Sequence, residues 1–352
     1  MQHLNVEYLQ PPEPIEDQVD TRLLRRRALE AVGLLVVLGL IAWLAPGLGE
    51  VRSELSGADG GWLALGVALE ALSCASYVVM FRPVFCERMT WRSADQLGLS
   101  ELAIGSLLPA SGAGGLAFGA WALRKSGMPA IHIAERSVAF FTVKSAANFF
   151  AVAVLGVLMF AGVGPSLSPL LTILPAALAA ASIAGTVALP RLLREPEWLI
   201  RHGGRRAAAA KGLVAAGDGL REAGRILRRR EPLVIAGSLG YWFFDNAVLW
   251  ATFRAVGTSP PITVVLMAYL LGQLGGLLPI PGGIGGIDGG LIGTFVVFGV
   301  AAAPTAAAVL AYRLILFWLP LLAGAVAFNG LRKGLNDPSR PDLCAPIPIP
   351  AP

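Results

Sequence analysis

Arg313 and Arg136 stand where a charge needs a chemical explanation. Each interrupts an apolar stretch, Arg313 in AYRLILFW and Arg136 in AERSVAFF. A charge at the centre of a membrane helix costs about 2.5–3.5 kcal/mol on insertion scales, so it faces a cavity, a partner or a substrate. A guanidinium is a planar fork of donors that fits two phosphate oxygens. Phospholipids and polyprenyl phosphates carry such oxygens. The competing reading of Arg313 is a structural ion pair with Asp288 or Asp245. For Arg136, nearer an interface, snorkelling competes as well. Lys144 and Asn148 are four residues apart, on one face of a helix. They line the same cavity, or Lys144 pairs with Glu70. Asp245 lies mid-span in YWFFDNAVLW and is a candidate proton site or the partner of an arginine.

Two glycine- and proline-rich segments offer backbone instead of side chains. The first holds Ser111, Gly112 and Gly115, the second Pro281, Gly282, Gly283, Gly285 and Gly286. Half-helices starting after Gly115 and Gly286 aim their N-terminal amides at the midplane, where they suit an anion. Non-helical backbone is tolerated at that depth only when protein or water covers it. Close packing competes here: Gly285, Gly289 and Gly293 form a small-residue stripe.

The elements that must position these residues follow from composition. Of 352 residues, 55% are apolar and 14% charged, and mean hydropathy is +0.66. Soluble domains carry about 25% charged residues. The apolar residues fall in blocks of about twenty, the pattern of a polytopic helical membrane protein. The alternation of a β-barrel is missing. Three cysteines without a CxxC pair predict neither a disulfide framework nor a thiolate metal site. His3, His132 and His202 are too scattered for a metal site, and no nucleotide-binding loop appears. No cofactor and no metal are expected.

Full spans are predicted at 28–45, 61–85, 167–189, 233–256 and 305–328, and within a long helix over 129–161 that spans from about Val138. Two further segments, 97–123 and 262–300, are broken by the glycine stretches. Each half has about a dozen residues, or about 18 Å, against a hydrocarbon core of about 30 Å. A re-entrant hairpin fits better than one helix. The expected fold is therefore all-α: about six full spans and two re-entrant segments. Residues 1–21 read as a disordered tail, 22–333 as the membrane domain, and 334–352 as a proline-rich tail. With both tails inside, 23 of the 28 Lys/Arg are cytoplasmic, two are outside and three lie within helices. This asymmetry supports two cytoplasmic termini in the cell membrane.

The broken segments resemble each other. Leu107-Leu108-Pro109-x-Ser111-Gly112 matches Leu277-Leu278-Pro279-x-Pro281-Gly282, and A-x-R-x-x-x-F-[FW] recurs at Arg136 and Arg313. The predicted repeats span about 61–189 and 233–330 and run in opposite directions, an architecture of transporters with a midplane site. Between them, 190–232 holds eleven Lys/Arg against five Asp/Glu. It reads as a basic amphipathic helix pair with Trp198, Leu199, Leu213, Leu220, Ile226 and Leu227 on apolar faces. Such a loop sets topology or meets anionic lipid; nucleic acid is not the expected partner.

LLPIPGGIGGID, FGV and AYRLILFWLP together resemble the signature of the flippase-like transmembrane domain of lysylphosphatidylglycerol synthetases and their stand-alone relatives. Its pattern is P-x-P-G-G-[LIV]-G-x-x-E, then a YR helix ending in LP. Pro279, Pro281, Gly282, Gly283, Ile284 and Gly285 match; Asp288 stands where the family has Glu. The resemblance covers roughly 28–332. It implies movement of lipids or lipid-linked saccharides across the bilayer, or a part in their metabolism. Aminoacyl-transferring members add a large soluble domain after the membrane part, where about twenty residues stand here, so lysyl transfer is not implied. The expected function is non-enzymatic translocation of an anionic lipid or lipid-linked phosphate. Rivals are a catalyst of lipid-linked saccharide metabolism and a scaffold for envelope biosynthesis partners; homo-oligomerisation is left open.

Overall fold

A computed structural model describes residues 49–107, 113–165, 168–192, 204–277 and 285–335, with Leu29 and Gly33. Apart from those two residues, the expected first span lies outside this set, as do both tails. The regular structure within it is helical: α1 Gly49–Ser56, α2 Gly60–Phe85, α3 Trp91–Leu107, α4 Ala113–Lys125, α5 Ala130–Phe160, α6 Pro169–Leu192, α7 Gly204–Arg229, α8 Pro232–Ala255, α9 Ile262–Gly272, a 3-10 turn Gln273–Leu277, α10 Gly286–Val297 and α11 Ala302–Leu335. Among the described residues five helices are long and apolar enough to cross a bilayer: Gly60–Phe85, Ala130–Phe160, Pro169–Pro190, Pro232–Ala255 and Ala302–Gly334. The protein is an all-α membrane protein.

Several boundaries differ from the sequence reading, each for a local reason. α3 begins at Trp91 rather than near Leu97, because Thr90 Oγ1 accepts from the N–H of Ser93 at 3.2 Å and caps the helix. Arg82 folds back over the preceding turn: Nε donates to the Met89 carbonyl at 2.6 Å and Nη2 to that of Glu87 at 2.6 Å. α11 extends at both ends, since alanines open it and Arg332 and Lys333 sit in its last turn. α1 was not expected. The predicted helix pair in 190–232 is, within the described residues, the single helix α7. Its docked face is Ala215, Gly219, Ala223 and Ile226, while Leu213 and Leu227 are exposed; Trp198 and Leu199 lie outside the described set. Cys86 is disulfide-bonded, a single bond rather than a framework, and Cys74 is free and buried.

Two apolar clusters define the ends of the bundle. One joins Phe81 and Phe85 late in α2 with Ile133 and Phe140 early in α5, Val234 at the start of α8 and Leu331 near the end of α11. The other joins Met159 at the end of α5 with Phe253 and Val256 around the end of α8, and Ala307 and Ala308 early in α11. The long helices therefore alternate in direction. The shorter ones divide between the ends. Ala94 of α3 and Leu123 of α4 belong to the first cluster; Val264 of α9 and Phe295 of α10 belong to the second. α3 and α4 have 17 and 13 residues. α9 and α10 have 11 and 12. At 1.5 Å per residue all four fall short of about 30 Å.

α2 and α8 pack face to face along the centre of the bundle. Small residues let them: a Cβ on Gly237 would fall 2.7 Å from both the Met80 amide nitrogen and the Ser76 carbonyl oxygen. α11 meets α3 in the same way, with a Cβ on Gly324 2.4 Å from the Leu99 carbonyl. Deep in the bundle, Leu107 at the end of α3 packs with Phe317 and Trp318 of α11.

Candidate functional site

The centre of the bundle is where the sequence placed its charges. Gly285 takes φ +85°, a left-handed conformation open to glycine without Cβ strain, and caps α10. Its N–H donates to Asp288 Oδ2 at 2.8 Å. The other oxygen, Oδ1, lies 2.7 Å from Arg313 Nε on α11. Of the two readings for Arg313, the geometry is that of the ion pair. The start of α10 thus holds the protein's own carboxylate where the sequence suggested an open anion site.

One residue before Arg313, Tyr312 donates its O–H to Asp245 Oδ1 on α8 at 2.8 Å. Tyr269 of α9 donates to Asp245 Oδ2 at 2.5 Å. Arg313 also lies within electrostatic reach of Asp245. Both oxygens of this buried acid therefore have donors, as a polar group at that depth requires. The structure brings Arg313, Asp288 and Asp245 into one cluster, built from α8, α9, α10 and α11.

Lys144 belongs to a second cluster. Its ammonium stands 5.7 Å from the Tyr77 and Phe141 ring centroids and 5.8 Å from that of Tyr241, within cation–π range. The acid acting on it is Glu101 of α3, not Glu70. Tyr77 of α2 donates to Glu101 Oε1 at 2.8 Å. Gly119 of α4 leaves room for that carboxylate: a Cβ there would fall 2.3 Å from Oε2. Asn148, one turn from Lys144, has a buried Oδ1 that receives no hydrogen bond. The clusters adjoin through Tyr241, whose ring lies 5.6 Å from that of Tyr77 and which is within electrostatic reach of Asp245.

Arg136 is placed elsewhere. Nη1 lies 2.9 Å from Glu222 Oε1 of α7 and donates to the Val84 carbonyl at 3.2 Å, tying α5 to the end of α2 and to the basic helix. The structure does not bring Arg136 to the Arg313 cluster. α4 starts at Ala113, so Gly115 is inside the helix rather than before it; a Cβ there would fall 2.6 Å from the Glu101 carbonyl. Gly286 opens α10, and a Cβ on Gly275 would meet its carbonyl oxygen at 2.0 Å. Gly115, Gly272, Gly275 and Gly290 are thus packing glycines of the two broken segments. The stripe Gly285, Gly289 and Gly293 meets nothing within 4 Å. Ser111, Gly112, Pro281, Gly282 and Gly283 lie outside the described residues.

Glu101, Tyr77, Tyr241, Tyr269 and Tyr312 were not singled out from sequence. The signal was available: the chain has five tyrosines, and these four fall in apolar segments, where each phenol needs a polar partner.

Residues 31–324 match the family model described as the lysylphosphatidylglycerol synthase TM region. The chain belongs to this family. Three relatives, each named UPF0104 membrane protein and each from Methanothermobacter thermautotrophicus strain Delta H, are similar over shorter stretches. One is 41% identical over 91 residues, 26% of either chain. A second is 34% identical over 90 residues, 25% of this chain and 27% of the relative. A third is 28% identical over 115 residues, 32% of this chain and 34% of the relative. The chain thus matches between a quarter and a third of the length of these relatives. As a member of the lysylphosphatidylglycerol synthase TM-region family it is a multi-pass membrane protein, and its central clusters lie on helices within the matched range.

Proposed function

We propose that this protein translocates a lipid with an anionic phosphate head, either a phospholipid or a lipid-linked saccharide, across the cytoplasmic membrane, with both termini in the cytoplasm. The observation that carries the reading is the pair of adjoining polar clusters inside the bundle, with Arg313 held against Asp288 on one side and Lys144 beside Glu101 on the other. Buried cations with weakly exposed acid partners can exchange those partners for a phosphate. Arg313 and Asp288 each keep about a fifth of their side-chain surface accessible, at 19% and 20%. The pair is therefore not fully sealed from its surroundings.

Inverted repeats fit this role. α2 to α5 form one half and α8 to α11 the other. The two short-helix pairs, each packed at one end and reaching toward the middle of α11 through Leu107 and Asp288, support a re-entrant reading. The buried acids favour transport over transferase chemistry, since Asp245 and Glu101 are engaged by tyrosines and cations.

Mass spectrometry of lipid co-purifying with the full chain tests the reading. An anionic phosphate-bearing lipid enriched over the bulk membrane, and lost in the folded Arg313→Gln/Asp288→Asn variant, is the expected result. A lipid profile identical to bulk in both proteins would count against it.

A further inference from the structure

Glu70 on α2 has no part in the reading above. It is 5% exposed. Among the described residues, Oε1 accepts from the thiol of Cys74, at 3.5 Å. Oε2 is buried and receives no hydrogen bond. The charged neighbour acting on it is a second acid, Asp245 of α8. The surrounding groups are Cys74 on its own helix, Tyr241 of α8 and Tyr269 of α9. On α11, Tyr312 and Arg313 act on Asp245. Lys144 of α5 acts on Glu101 of α3. Among the described residues, the Cys74 thiol is the donor on Glu70, while Tyr269 and Tyr312 donate to Asp245 and Lys144 lies in the other cluster. An ionised Glu70 would stand beside a second anion with an oxygen unpaired, within a membrane span. That arrangement is strongly unfavourable. A proton on Glu70 removes the charge and turns the unpaired oxygen into an O–H.

We infer that Glu70 is a proton-binding site whose loading and release couples lipid movement to the proton gradient. The coupling rests on the translocation reading; the site itself does not. In each cycle one H⁺ from water on one side forms an O–H bond on Glu70, and that bond breaks to release H⁺ on the other side. No electron moves. Phenol and thiol donors surround the acid pair, which suits a proton rather than a sodium ion, whose ligands are acceptors.

Two measurements on the purified full chain separate the halves. Infrared spectroscopy in lipid should show the C=O stretch of a protonated carboxyl that bleaches as pH rises. The band should be lost in Glu70→Gln, which has the shape of the protonated acid, and shifted in Glu70→Asp. Failure of the wild-type spectrum to show a titrating band, or its persistence in Glu70→Gln, overturns the site. In proteoliposomes with a fluorescent phosphatidylglycerol, a gradient of about one pH unit should bias the two leaflets by about tenfold for one proton per lipid. The bias should vanish in Glu70→Gln, and a sodium gradient should produce none. Lipid movement that ignores the pH gradient, or follows sodium, overturns the coupling. A titrating Glu70 band in a protein that moves no lipid under any gradient overturns the translocation reading and leaves the proton site standing.

Discussion

Arg313 and Asp288 form the contact on which the central cluster depends. Each side chain keeps about a fifth of its surface exposed, so removing the arginine should cost near the low end of a buried pair, about 3 kcal/mol. Arg313→Gln should lower folded yield and melting temperature in detergent, and Arg313→Gln/Asp288→Asn should recover most of that loss. The recovery follows from geometry, because an asparagine carbonyl still accepts from the Gly285 N–H. Arg313→Lys keeps the charge but loses the planar fork, and should fold while impairing transport. At this scale much was legible: an arginine in an apolar helix and an acid at a glycine-rich break pointed to each other. Glu101 was not, because its partner Tyr77 is 24 residues away on another helix.

Among the helices, glycine decides which surfaces meet. A Cβ on Gly115 would fall 2.6 Å from the Glu101 carbonyl, and one on Gly275 2.0 Å from that of Gly286. Backbone cannot yield as a side-chain end can. Gly115→Ala and Gly275→Ala should each destabilise the protein by about 1–3 kcal/mol. Gly289→Ala and Gly293→Ala, with open space before them, should be neutral or stabilising by up to about 1 kcal/mol through reduced chain entropy. Thermal unfolding of the four variants in one detergent checks the contrast; equal losses would show that the open stripe is packed. Sequence spacing named the wrong stripe because periodicity fixes which glycines share a face, not which face a neighbour takes. The spans α2, α5, α6 and α8 were readable within a few residues from apolar length alone. α1 was missed because eight residues between spans, with only Val51 and Leu55 strongly apolar, carry no periodic signal strong enough to register.

At the scale of the whole molecule, the account rests on orientation. A cysteine at Ser111 should react with impermeant reagent from the cytoplasm and one at Gly283 from outside; reaction of both from one face would remove the inverted repeat. Neutralising Arg228, Arg229 and Arg230, all exposed at the end of α7, should weaken association with anionic vesicles by up to about 1 kcal/mol per charge and leave the central clusters intact. Vesicle flotation measures it, and unchanged flotation would assign those charges to topology alone. The charge asymmetry on which the proposed orientation rests is a property of the sequence itself. The tyrosine-linked clusters at the centre of the bundle were not legible there, because they join α2, α3, α5, α8, α9 and α11, and only packing brings those helices together.

The most direct test of lipid translocation is a leaflet-exchange assay. Fluorescent phosphatidylglycerol is placed symmetrically in proteoliposomes and quenched from outside with an impermeant reductant. With the wild-type chain, the protected inner-leaflet fraction should fall well below half. With Arg313→Lys of equal folded yield, exchange should slow markedly. Protection of half the label by the wild type, equal to that in empty vesicles, would contradict the account.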